Sequence, residues 1–77
     1  MTNKGISLPY LRAWRASRYL MQKELAEKSG ITETTISRLE NGEPARLDTI
    51  AKLADALGIS REQLIREDPN KELAAIG

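Results

Sequence analysis

The chain has 77 residues, 40% of them apolar and 30% charged, with no cysteine and no histidine. This length supports one small domain with a modest core. The missing Cys and His exclude disulfides, thiolate or imidazole metal sites and the usual base of hydrolytic triads. A non-enzymatic domain with no cofactor, no metal and no small-molecule ligand is therefore expected. No apolar run reaches the roughly 20 residues of a membrane-spanning helix, and no signal-like stretch follows Met1, so a cytoplasmic protein with no membrane contact is expected.

Apolar residues recur at helical spacing almost throughout; strand-like alternation is missing, as are Val and Phe. The pattern predicts an all-α fold of five helices. Residues 1–7 read as a loose arm in which Gly5 and Ser7 offer little packing. A first helix is predicted from Leu8 or Pro9, because proline suits the first helical position, through Leu11 and Trp14 to Ser17 or Arg18. Trp14 reads as a packing residue rather than a base-stacking platform. The second helix covers Gln22–Ser29, turns Leu25 and Ala26 inward and stops at Gly30, which can take the left-handed conformation. Thr32 is the expected N-cap of a third helix, with Glu33 in its first turn, Ile36 and Leu39 inward, and Asn41–Gly42 as its end. After a loop at Glu43–Arg46, a fourth helix is predicted from Leu47 to Leu57. Its apolar face is Leu47, Ile50, Leu53, Ala54 and Leu57, and Gly58 stops it. Ser60 and Gln63 form a capping box for a fifth helix ending near Arg66. Asp68–Pro69–Asn70 then breaks the chain, so the domain is placed at 8–67 and a tail at 68–77.

The net charge of +1 is unevenly spread. Residues 1–40 hold seven Lys/Arg against four Asp/Glu, and residues 41–77 hold five against seven. A basic half beside an acidic half fits a polyanion on one face and something else on another, but on charge alone a mixed, solvated surface is the preferred reading. The spacing Gln22, Ala26, Gly30, Ile36 describes two short helices crossing closely at a sharp turn. The outer face left on the third helix carries Glu33, Thr34, Ser37 and Arg38, side chains suited to a DNA major groove.

The stretch Gln22–Gly42 (QKELAEKSGITETTISRLENG), followed by Leu47–Ile59 (LDTIAKLADALGI), resembles the Cro- and Xre-like helix-turn-helix family of phage and bacterial repressors. The likeness runs from about Leu8 to Arg66. It implies a lambda-repressor-like five-helix domain that binds double-stranded operator DNA as a homodimer. By that resemblance Gln22 matches a glutamine that touches phosphate and braces the recognition helix. Glu33, Thr34 and Arg38 fall at base-reading places, Thr32, Thr35 and Ser37 at supporting ones, and Asn41 where a loop approaches phosphate. Arg15 and Glu40 match an ion pair tying the first helix to the third. For Glu33 two readings stand together: acceptance from a cytosine amine, or a helix N-terminal charge that reaches no base. Arg12, Arg18, Lys23 and Lys4 are further candidates for phosphate, each also readable as a solvated charge.

Two positions depart from the family pattern. Tyr19 stands where glycine is common, and Met21 stands where a Ser or Thr usually caps the second helix. The expected function is a transcriptional regulator of the repressor kind, with the Thr32–Asn41 helix in the major groove. An antitoxin or a restriction–modification controller is the alternative within DNA binding; a protein-interaction module is the alternative outside it. Ile65, Leu73 and Ile76 are candidates for a dimer surface, or else caps on the small core.

Overall fold

The computed structural model describes residues 5–70. It contains five helices and, among those residues, no strand: α1 (Leu11–Ser17), α2 (Gln22–Ser29), α3 (Glu33–Glu40), α4 (Leu47–Leu57) and α5 (Arg61–Arg66). The core is built from α2 lying against α3 and α4, α1 against α3 and α5, and α4 against α5. Leu25, Ile36, Ile50, Leu53 and Leu64 are sealed from solvent at its centre.

The start of α1 differs from the sequence expectation. Leu8–Leu11 forms a turn, closed by the Leu11 N–H donating to the Leu8 carbonyl at 3.2 Å, and the first helical bond is Trp14 N–H to the Tyr10 carbonyl at 2.9 Å. Pro9 disfavours the helical conformation at Leu8, which keeps that residue out of the helix, and Tyr10, at φ −106° and ψ 6°, is the N-cap. Leu8 is still buried, as an apolar anchor ahead of the helix. At the other end, the Tyr19 N–H donates to the Ala16 carbonyl at 2.9 Å and the Leu20 N–H to the Arg15 carbonyl at 3.2 Å. This reversal sets Tyr19 at a φ of +57°, the sole non-glycine positive φ among the described residues.

Met21 has no oxygen with which to cap α2, and the neighbouring acid partly replaces one. Glu24 Oε1 accepts the Met21 N–H at 2.8 Å, which is half of a capping box. Gly30 closes α2 at φ +80°, its N–H donating to the Ala26 carbonyl at 2.9 Å. Ser60 and Gln63 form the full capping box expected before α5, at 3.0 and 3.1 Å.

Leu47 corrects the expected buried face of α4. It is 63% exposed, because the apolar stripe continues into the first turn, past the edge of the core that covers Ile50, Leu53, Ala54 and Leu57. Ile65, offered for a dimer surface, is half-buried and packs on the core; Leu73 and Ile76, like Lys4, lie outside the described residues. The arm is also not loose where it can be seen. Ile6 and Ala45 exchange backbone bonds of 2.8 and 2.9 Å, and Ala45 is buried. Gly5 permits this approach: a Cβ there would stand 2.8 Å from the Ala45 carbonyl oxygen.

Trp14 is a packing residue, as expected. It is 7% exposed, and Nε1 donates to the Gln63 carbonyl at 3.2 Å and the Glu67 carbonyl at 2.8 Å. The Glu67 carbonyl is one that the end of α5 leaves without a helical partner, whereas the Gln63 carbonyl also accepts the Glu67 N–H at 2.9 Å. Arg18, a phosphate candidate in the sequence, is occupied internally. Its guanidinium lies 5.5 Å from the Trp14 ring centroid and its Nε donates to the Leu57 carbonyl at 2.9 Å.

Candidate nucleic-acid interface

Helices α2 and α3 are joined by Gly30, Ile31 and Thr32. Thr32 caps α3 as its sequence predicts: its Oγ1 accepts the Thr35 N–H at 3.2 Å and donates to Thr35 Oγ1 at 2.8 Å. These two threonine hydroxyls therefore hold each other at the helix start. Ile36 and Leu39 fix the inner face of α3 in the core, with exposures of 0% and 4%. A helix seated this way presents its opposite face to solvent without freedom to roll.

That outer face holds the expected side chains. Glu33, Thr34 and Arg38 are exposed, as is Asn41 at the C-cap, and Thr35 and Ser37 are half-buried at its margin. Thr34, Arg38 and Asn41 follow one another at spacings of four and three and so share one stripe. Glu33, in the first turn, sits where the helix dipole favours a negative charge. Arg38 takes part in no ion pair with any described residue, which leaves its five donors open outward.

The inner end of α3 is held by a three-residue polar cluster. Arg15 grips Glu40 with both edges of its fork, Nε to Oε2 at 2.6 Å and Nη2 to Oε1 at 3.1 Å, while Nη1 donates to the Leu20 carbonyl at 2.7 Å. Gln22 Nε2 donates to Glu40 Oε1 at 3.0 Å. One carboxylate thus ties α1, the α1–α2 turn and the start of α2 to the last turn of α3. The side chains of Arg15 and Glu40 are 15% and 5% exposed, so the pair is shielded rather than a surface bridge. The hydrogen bond to Glu40 is the leading cause that raises the Arg15 pKa above its ordinary value; burial opposes it and the charge of Glu40 adds to it. Gln22 keeps a second amide hydrogen, so its brace and an outward contact are compatible.

The α1–α4 segment and most of α5, residues 11–64, match the family model described as helix-turn-helix. The chain belongs to the Cro/Xre-like helix-turn-helix family of DNA-binding transcription regulators. Within that helix-turn-helix family it is 46% identical over 57 residues to the HTH-type transcriptional repressor RghR of Bacillus subtilis (strain 168). The aligned part is 71% of this chain and 42% of that repressor, so the likeness spans less than half of the relative. Its fold is similar to the crystal structure of a hypothetical transcription factor NHTF from Neisseria. There the TM-score is 0.70 at 31% identity, over 86% of this chain and 76% of the other.

The regulators of this helix-turn-helix family are not enzymes as a rule. No helix among the described residues is long and apolar enough to cross a membrane. Sequence reasoning missed the clamp on the loop after α3. The Ile6–Ala45 pairing fixes the segment that carries Asn41 and Arg46, and nothing local to either residue signals a pairing across such a span of chain.

Proposed function

We propose that the chain is a sequence-specific transcriptional repressor. It binds a pseudo-palindromic operator as a homodimer, with the Thr32–Asn41 helix of each copy in the major groove of one half-site. The observation that supports this best is the outward stripe of short hydrogen-bonding side chains on a helix whose inner face is locked. In this reading Arg38 donates a bidentate pair to guanine O6 and N7, and Thr34 offers its methyl to thymine. Glu33 accepts from a cytosine amine or stays as a helix N-terminal charge. Gln22 and Asn41 touch phosphate, and Thr32, Thr35 and Ser37 support the reading face. Two-fold symmetry sets the half-sites about one helical turn, roughly 34 Å, apart. Repression follows from occluding polymerase.

Selection of bound duplexes from a random pool tests the reading. Enrichment of a symmetric site with halves one turn apart is the expected result; failure to enrich any duplex would favour a protein-interaction module on the same fold. On the selected duplex, log affinity should fall linearly with log salt. Arg38→Ala should lose between about tenfold and a hundredfold of discrimination at one base pair of each half-site, with the thermal midpoint unchanged. Gln22→Ala should weaken all duplexes alike. Competition titrations with single-base variants check both.

A further inference from the structure

Two of the large apolar side chains left exposed sit on the α1–α2 turn: Tyr19, 93% exposed, and Met21, 69% exposed. Tyr19 also carries a backbone cost. Its φ of +57° is a conformation in which a side chain with a Cβ is strained, and the ring gains no internal packing in return. Strain held without an internal compensation points to a contact outside the chain.

The turn is fixed beside the recognition helix. Arg15 Nη1 holds the Leu20 carbonyl between these two residues at 2.7 Å, and the same guanidinium grips Glu40 at the end of α3. Gln22, next in sequence, reaches Glu40 as well. A helix with its side chains is about as wide as the major groove, roughly 10–12 Å against 12 Å. Side chains that flank the end of an inserted helix therefore face the groove wall, which is deoxyribose and phosphate.

We propose that Tyr19 binds the sugar–phosphate wall of the groove that α3 enters, its phenol donating to a phosphate oxygen and its ring lying with Met21 against deoxyribose. This rests on the DNA-binding reading above. The contact is neutral and made to backbone. It adds affinity without adding base preference and without changing the number of cations released, so it leaves the salt slope as it is.

The test uses the full chain, the selected duplex and a scrambled duplex, with Tyr19→Gly, Tyr19→Asn and Tyr19→Phe. Glycine and asparagine both tolerate a positive φ, so these two variants should melt at the wild-type temperature or above. Both should bind about five- to tenfold more weakly on the two duplexes alike, with the wild-type salt slope. Tyr19→Phe should lose part of that affinity, because the ring remains and the donor is gone. Variants that bind like the wild type would overturn the inference, as would a loss confined to the selected duplex, which would mean base reading. A lower melting temperature for Tyr19→Gly and Tyr19→Asn would also overturn it, since the ring would then be serving the fold. If wild-type protein enriches no duplex, the DNA-binding reading itself fails, an outcome separate from these.

Discussion

Arg15→Ala should lower the unfolding free energy by about 3 kcal/mol or more, because it strands a carboxylate whose side chain is 5% exposed. The variant leaves Glu40 with only the Gln22 amide as donor, and it also removes the donor from the Leu20 carbonyl. A domain of this size holds about 5–10 kcal/mol in total, so the variant should sit near the edge of folding at 37 °C. Urea denaturation followed by fluorescence of Trp14, the one tryptophan, measures it directly. Glu40→Ala should cost less, since the stranded guanidinium keeps the Leu20 carbonyl and has 15% exposure through which to reach water. Equal costs for the two variants would contradict this asymmetry. Lysine at position 15 should recover only part of the loss, because an ammonium cannot make the two-pronged contact. The Arg15 pKa is raised on folding, so its stabilisation is fully present below the ordinary arginine value. It would be lost only as pH rises through the higher folded value. The pair should therefore show no alkaline loss of stability anywhere in the physiological range.

The same residues show what the sequence discloses and what it withholds. Helical periodicity, the Thr32 cap, the Ser60–Gln63 box and the glycine stops are local signals. Each depends on residues within one or two turns, and each is found where local chemistry puts it. The Leu8–Leu11 turn is legible only in part: Pro9 disfavours helix at Leu8, but nothing local places the cap at Tyr10 rather than before Pro9. Leu47 marks a different limit. Periodicity says which face of a helix is apolar, but not how far along that face the core extends. The Ile6–Ala45 pairing and the bond from Arg18 to the Leu57 carbonyl each join segments 39 residues apart in sequence, and no spacing rule reaches them. For the interface, the side chains facing outward on α3 follow from the inward positions of Ile36 and Leu39. The support beneath them, where Gln22, Arg15 and Glu40 meet, came from the family resemblance rather than from spacing. The strain at Tyr19 is visible only as a departure from glycine.

Trp14 makes α1 a staple with two prongs, and removing it should have the largest effect of any single truncation. From adjacent positions on one short helix, Trp14 reaches the end of α5 and Arg15 reaches the end of α3. Trp14→Ala opens a cavity in a core of few residues, which typically costs about 3–5 kcal/mol for a buried aromatic. It also leaves the Glu67 carbonyl without its donor, the Gln63 carbonyl keeping the Glu67 N–H, and takes away the surface under Arg18. The expected result is a chain with no cooperative thermal transition above 37 °C by circular dichroism. Trp14→Phe separates packing from hydrogen bonding. It keeps most of the volume and loses only the N–H, at acceptors close enough to the surface for water to replace it, so it should cost about 1 kcal/mol. In that variant the amide of Leu64, sealed in the core beside the vacated bond, should exchange hydrogen faster. Amides of α3, held by Arg15 and Ile36, should keep their protection. Loss of protection in α3 together with α5 would show that the two prongs are one cooperative unit, and DNA binding would then fall in proportion to the stability lost at the far end of the molecule.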